Sequence, residues 1–311
     1  MFSPKKLLIA TALAAATLTA TGTTWAKDLT IGLAVANLQA DFFNQIKQAV
    51  EAYGKTKGVE IITVDAKGDA TTQVDQVQDL ITRKIDALIY IPAGATAAAV
   101  PVKAARKAKI PIVNVDRNAA GAPGDTFFAT DGVAATRELG DWVCKQAGGK
   151  GNAVIIKGQQ GTTPQLDRSK GWAEAMARCP GIKVTAEQFT ERWAADEGAK
   201  IAQDMLQRDP SITVIFGQAD GIALGASRAV KLANLGTKVW VVGFDGDPGG
   251  LVAVQNGALD ATVTQQTQKM GRMAVDAALD LIAGKKLPAE QLQGGTLTTK
   301  TNVAGFIANH P

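Results

Sequence analysis

The sequence predicts an α/β protein of two doubly wound lobes built on parallel sheets, and three observations carry that prediction. From Leu29 to Ala283, short β-branched apolar runs alternate without a break with segments of helical period. A single sheet of that many strands is less favourable than two packed domains. Finally, two apolar runs end alike: Ile110–Val115 runs into Asp116-Arg117, and Val239–Gly243 runs into Phe244-Asp245. A buried strand ending in a carboxylate is costly unless the carboxylate has partners, and ligands of α/β sheets bind beyond the carboxyl ends of parallel strands. One such end in each half implies two lobes facing one polar ligand.

Residues 1–26 stand outside that fold. Lys5 and Lys6 form a basic region, Leu7 to Ala20 is apolar and rich in Ala and Thr, and Thr24-Trp25-Ala26 places small residues where a signal peptidase reads. This reads as a secretory signal cleaved after Ala26, which makes the mature protein an exported one. The apolar stretch is short and interrupted by Thr, which disfavours an uncleaved anchor, and no Cys follows it to take a lipid.

The pattern then predicts strands at Leu29–Ala36, Val59–Asp65, Ala87–Ile91, Ile112–Val115 and, briefly, Thr126–Ala129. Further strands are expected at Ala153–Lys157, Ile182–Gln188, Thr213–Gly217, Val239–Phe244 and Ala261–Gln265. The intervening segments predict helices over Phe42–Lys57, Thr72–Lys84, Ala95–Ala108, Arg137–Ala147, Gln165–Arg178, Glu197–Arg208, Gly221–Leu235 and Lys269–Ala283. In the first of these, Phe43, Ile46, Ala49, Val50 and Tyr53 share one face. Right-handed crossovers follow from the order. Gly121, Pro123 and Gly124 mark Asn118–Asp131 as the internal boundary, with further crossings expected near Gln265–Gln268 and Leu292–Gly295. The expected lobes are 27–130 with 266–293, and 131–265 with 294–311.

Composition excludes several classes. The 26-residue leader holds two lysines and no acid, so a 311-residue chain of formal charge +4 becomes 285 residues at +2. That balance gives no support for nucleic-acid binding. The single histidine, His310, reads as a solvated tail residue, so neither a Ser-His-Asp triad nor a multi-histidine zinc site is available. Cys144 and Cys179 lie late in two helices flanking one strand. An oxidising compartment permits a disulfide between them, and two buried thiols are the alternative.

Asp116, Arg117, Arg168 and Asp245 form the sharpest constellation. Their formal charges cancel; carboxylates accept from vicinal hydroxyls and guanidiniums donate a planar fork. That inventory suits a neutral polyhydroxy ligand, although structural Asp–Arg pairing and, for Arg168, a solvated helix face are the plain alternatives. Only one of Phe42 and Phe43 is expected to face the core, leaving the other for a cleft. Trp193 in a polar loop and Phe244 beside Asp245 could clamp a sugar ring. The stretch Gly158–Thr163 could cradle a phosphate at a helix N-terminus but lacks the Lys-Ser/Thr of a P-loop. Asp245–Gly250 lacks the acid spacing of a calcium loop and reads as a turn. No metal site or cofactor is indicated.

Over the whole mature length the chain resembles the ribose/galactose-type periplasmic binding proteins of sugar ABC transporters. The resemblance rests on Asp41-Phe42-Phe43, Val113-Asn114-Val115-Asp116-Arg117, Asp167-Arg168-Ser169-Lys170-Gly171-Trp172, and Gln218-Ala219-Asp220 before Ala223-Leu224-Gly225-Ala226. It continues through Val241–Gly246 and Ala261–Gln265. It implies the type I periplasmic binding fold, with two Rossmann-like lobes joined by three hinge segments. It also implies a monomeric, non-enzymatic receptor that delivers its ligand to a membrane permease and is compatible with a chemoreceptor or sensor. By position, Phe42, Phe43, Trp193 and Phe244 would sandwich a sugar ring, while Asp116, Arg117, Arg168, Asp245 and Gln265 would bond its hydroxyls. Asp220 would join the ligand-binding set, and Asn37, Ala40, Ile91, Thr130 and Ala219 would line the pocket. Ala40, Ile91 and Ala219 stand where ribose binders usually carry amides, which argues against ribose, because a site built for a given hydroxyl discriminates strongly. Another sugar or a polyol fits as well. An exported carbohydrate-active enzyme using Asp116 and Asp245 as a carboxylate pair is the alternative. It is disfavoured because pairing with arginine is expected to keep both acids ionised. A repressor effector domain shares the fold, but the signal peptide occupies the place of its DNA-binding helices.

Overall fold

The computed structural model describes residues 29–311; the signal-peptide reading of residues 1–26 lies outside the described residues. In chain order the elements are β1 (Thr30–Val35), α1 (Asp41–Thr56), β2 (Glu60–Asp65), α2 (Ala70–Thr82), β3 (Ala87–Tyr90), α3 (Ala99–Lys107), β4 (Ile112–Val115) and β5 (Thr126–Thr130). They continue with α4 (Gly132–Gln146), β6 (Gly151–Lys157), α5 (Thr163–Arg178), β7 (Ile182–Phe189), α6 (Ala195–Arg208), β8 (Ile212–Gly217), α7 (Asp220–Ala233), β9 (Trp240–Val242) and α8 (Pro248–Asn256). The last are β10 (Ala261–Thr264), α9 (Thr267–Ile282), β11 (Glu290–Gln293), β12 (Thr296–Thr299) and α10 (Val303–Ala308). Among the described residues no helix is long and apolar enough to cross a membrane.

The strands form two six-stranded sheets, β11-β5-β4-β3-β1-β2 and β12-β10-β9-β8-β6-β7. All pairings are parallel except β10 with β12. The chain passes from the first sheet to the second after β5, returns through α9, and crosses again between β11 and β12. Helices cover both faces of each sheet, which is why the central strands β1, β3, β4 and β8 are almost wholly buried. In β1, Ile31, Leu33 and Val35 point to the cluster under α1 and α9, while Ala34 points to the cluster under α2 and α3. In β6 the division repeats, with Val154 and Ile156 on one face and Ala153 and Ile155 on the other. Each such fully buried Ile or Leu contributes about 2 kcal/mol.

The differences from expectation have local causes. Helix α4 begins at Gly132 rather than Arg137, because Asp131 caps it by accepting from the Ala134 amide at 2.9 Å. The segment after Asp245, expected to be only a turn, continues into α8. Its Pro-Gly-Gly start hides a helix held down by buried Leu251, Ala253 and Val254 and closed by Gly257 in the left-handed region. Strands β11 and β12 are polar and half-exposed, so neither shows the apolar pattern.

Two further expectations are resolved. Cys144 and Cys179 are bonded, with Cα atoms 6.1 Å apart, tying the end of α4 to the end of α5. His310 is half-buried rather than freely solvated: its Nε2 lies 2.9 Å from the Gly246 carbonyl and its Nδ1 3.3 Å from Thr267 Oγ1, so the tail is docked against the second crossing. Burial lowers the imidazole pKa below its usual value.

The disulfide closes a loop of sequence separation 35. A Cys144→Ser/Cys179→Ser variant is expected to lose about 3–4 kcal/mol in denaturant unfolding, with the near-ultraviolet spectrum of the folded state retained.

Candidate functional site

The carboxyl ends of the two sheets face each other across a cavity of about 400 Å³. Asp116 leaves β4 with φ 59°, and its amide donates to the Phe128 carbonyl at 2.7 Å. Asp245 follows β9 with φ 122°, its amide donating to the Val263 carbonyl at 2.9 Å. Trp193, in the loop between β7 and α6, has φ 62°. These three residues line the cavity, whereas the other described non-glycine residues at positive φ occupy ordinary turns. Each such backbone costs roughly 1–3 kcal/mol and persists only where the surroundings hold it.

The arginines supply much of that hold. Arg168 of α5 pairs through Nη2 with Asp245 Oδ1 at 3.1 Å and donates through Nη1 to the Gln218 carbonyl. Its guanidinium lies 3.9 Å from the Phe244 ring centroid and 5.4 Å from that of Trp193. Arg117 donates to the Pro92 carbonyl at 3.1 Å, has Nε 3.7 Å from Asp116 Oδ2, and lies 5.1 Å from the ring of Phe43 and 5.6 Å from that of Trp193. Trp193 is therefore flanked by both guanidiniums. Its loop is pinned by Glu197, whose carboxylate accepts from the amides of Glu191 (3.0 Å), Arg192 (3.0 Å) and Ala194 (3.3 Å). Beneath the indole lies Gly158, where a Cβ would stand 1.9 Å from the ring. Across the cleft, Arg117 Nη1 reaches Gln159 Oε1 at 3.4 Å and the Asn118 amide donates to Thr163 Oγ1 at 3.0 Å.

Electrostatically, burial outweighs the pairing. It raises the Asp116 carboxyl although Arg117 and Arg168 oppose it, and raises Asp245 although Arg168 opposes it. The same burial lowers Arg117 to about 10. The arginines oppose that rise at both acids without reversing it.

Of the sequence-selected residues, Asn37, Ala40, Phe42, Phe43, Asp116, Arg117, Arg168, Trp193, Ala219 and Asp245 line the cavity. Both phenylalanines do so, packed edge to face at 5.3 Å, because the first turn of α1 opens at the cleft. Five residues are placed differently. Phe244 is wholly buried under Arg168. Gln265, which donates to Asp245 Oδ1 at 2.8 Å, and Thr130 line a separate void of about 10 Å³ behind Arg168. Ile91 packs into the core under α1 and α9 because strand alternation turns it from the cleft.

Asp220 also faces inward. It accepts from Thr262 Oγ1 at 2.6 Å and from the Asp247 amide at 2.9 Å, fitted between Gly243 and Gly250. Burial first, and Asp245 second, push its carboxyl up to about 8. The Gly158–Thr163 loop is no phosphate cradle. Its amides are taken by Gln218 Oε1 (3.0 Å from Gly158), Gln165 Oε1 (3.0 Å from Gly161) and the Gln159 carbonyl (3.3 Å from Thr162).

Asp41, Pro164, Leu224 and Asp247 also line the cavity. Asp41 stood beside the phenylalanines in the motif, and Asp247 was hidden in the supposed turn.

The sequence matches the periplasmic binding protein domain over residues 31–286. The chain belongs to the periplasmic binding protein family. It is 30% identical over 261 residues to the ribose import binding protein of Bacillus subtilis, covering 84% of each chain. It is 31% identical to the xylitol-binding protein of Mycolicibacterium smegmatis, covering 88% of this chain and 78% of that one. It superposes with a TM-score of 0.85 and 26% identity on an ABC transporter solute-binding protein from Bacillus halodurans with bound myo-inositol, covering 90% of this chain and 98% of that one. The fold is the type I periplasmic binding fold, and the protein is a solute-binding receptor rather than an enzyme.

Two outcomes follow. A carboxyl that holds its proton more tightly folded than unfolded stabilises the fold while protonated, and that stabilisation is lost as pH rises through the folded value. Between pH 7 and 8.5 the ligand-free protein should lose about 1 kcal/mol in urea unfolding through Asp220, and Asp220→Asn should flatten the slope. Gly158→Ala should push the Trp193 indole into the cavity, giving a red-shifted tryptophan emission from the folded variant.

Proposed function

We propose that the mature protein is exported with cleavage after Ala26, closes its two lobes on one polyhydroxylated solute, a sugar or polyol, and presents it to the permease of an ABC transporter. The lobes are 27–130 with 266–293 and 131–265 with 294–311, and the three crossings serve as hinges. The observation that carries this reading is the cavity itself, in which aromatic rings and fixed carboxylate–guanidinium pairs converge from both sheets. Phe42, Phe43 and Trp193 offer apolar faces to a ring, and Asp116, Arg117, Arg168 and Asp245 read hydroxyls at its edge. Gln265 and Phe244 act one step behind, fixing Asp245 and Arg168. A cavity of about 400 Å³ suits a monosaccharide-sized solute. The relatives support the class: one imports ribose, one binds xylitol, one holds myo-inositol. Ala40 and Ala219 on the cavity wall keep ribose itself disfavoured. The closed form is also the natural form for a chemoreceptor or sensor to read.

A thermal-shift screen of the mature protein against sugars and polyols tests the reading. A ligand at 100 times its Kd should stabilise the protein by about 2.7 kcal/mol. Failure of every such compound to raise the melting temperature would sink the proposal.

A further inference from the structure

The charges that line the cavity do not cancel. Its guanidiniums are matched: Arg117 lies beside Asp116 at 3.7 Å, Arg168 beside Asp245 at 3.1 Å, and Arg192 at the rim beside Asp196 at 2.7 Å. Two lining carboxylates are left, and none of the ion pairs among the described residues includes either. Asp41 opens α1, which packs on the first sheet, and Asp247 precedes α8, which packs on the second, so one stands on each side of the cleft.

Asp247 is the more unusual of the two. It stands at the N-cap position of α8 but makes no side-chain cap bond, and its Oδ1 is buried with no hydrogen-bond partner. Burial, followed by the charges of Asp245, Asp220 and Asp41, raises its carboxyl well above the usual range. A buried carboxylate without a counterion is costly, and that cost is removed when a cation arrives with the ligand.

We propose that the solute is a hydroxylated ring bearing a protonated amino group, an amino sugar or aminocyclitol, and that Asp247 and Asp41 hold its ammonium from opposite sides of the cleft. This rests on the sugar-or-polyol reading and sharpens it. The ring hydroxyls are left to the four paired Asp and Arg groups, while the ammonium occupies the one part of the cavity where negative charge has no partner. An ammonium between them favours the ionised form of Asp247, which burial and its acidic neighbours otherwise disfavour. The neutral solute suggested by the four central charges alone is thereby revised.

The test is calorimetric titration of the mature protein with matched pairs: glucosamine and glucose, galactosamine and galactose, mannosamine and mannose, and an inosamine and myo-inositol. Calcium chloride alone serves as a separate arm. At least one amino compound should bind at least tenfold tighter than its hydroxyl partner, and its N-acetyl form should lose that advantage. Asp247→Asn, which imitates the protonated acid in shape, should cut the amino-over-hydroxyl preference at least tenfold, and Asp41→Asn should reduce it less.

Tight binding of a hydroxyl compound with no amino preference would overturn this inference and leave the sugar-or-polyol reading standing. An amino preference untouched by Asp247→Asn would also overturn it, because the acid would then be acting as a neutral partner. Calcium binding abolished by Asp247→Asn, without amino preference, would make this an inorganic cation site and overturn it too. If no member of either series binds, this inference falls, and the thermal-shift screen separately decides the sugar-or-polyol reading.

Discussion

The burial of guanidinium charge against Trp193 is the constraint on which the rest of the cleft depends. Arg117, just beyond β4, and Arg168 of α5 on the other side of the cleft both lie within reach of that ring, and each is paired with the carboxylate at the strand end on its own side. Removing either arginine would leave a buried carboxylate unmatched, and removing either carboxylate would leave a buried cation. The backbone at Asp116, Trp193 and Asp245 sits at positive φ, where non-glycine residues rarely rest. Those conformations survive because the amides of Asp116 and Asp245 are fixed to neighbouring strands and the Trp193 loop is clamped by Glu197. Rigidity in the sheets is thereby transferred to side chains that project into open space, as a preorganised binding site requires.

The fold was legible because periodicity, the strongest local signal, was intact from β1 to α9. It failed where an element is held by tertiary contacts instead of pattern. Helix α8 starts with Pro-Gly-Gly because Gly250 must leave room for the Asp220 carboxylate, and composition alone cannot distinguish that need from a turn. The edge strands β11 and β12 are short and polar, and their pairing partners are distant in sequence. The central Asp and Arg residues of the site were legible because buried charge at a strand end has few structural uses. Phe244, Asp220 and Ile91 were misplaced for one shared reason. Proximity in sequence to a cavity does not say which way a side chain points, and a single step along a strand turns it to the opposite face.

The supports behind the cavity wall form a second layer with its own logic. Asp220 joins three elements, since it begins α7, accepts from Thr262 on β10 and receives the amide that starts α8. Gln265 fixes Asp245 Oδ1 from behind while Arg168 holds the same oxygen from beside it. His310 holds the Gly246 carbonyl one residue beyond Asp245 and faces Thr267 at the start of α9. The chain around Asp245 is thus fixed from three directions, and its carboxylate is presented at a defined angle.

The distribution of contacts between the sheets bears on how the cleft exchanges its contents. Each strand-end ion pair lies on one side: Asp116 with Arg117 beside the first sheet, Asp245 with Arg168 beside the second. Parting the sheets would leave both pairs formed. What would break is the long Arg117–Gln159 bond, the Asn118–Thr163 bond and the approach of Arg117 to Trp193. Those are contacts of roughly 1 kcal/mol each. A solute bridging both ion pairs adds interactions that exist only when the sheets are together, and a ligand shifts such an equilibrium by no more than its differential affinity for the two arrangements. A cleft whose strong pairs are internal to each side, and whose cross-cleft contacts are weak, places that differential in the solute. On the proposed reading, the solute, more than the empty protein, decides when the cleft is closed.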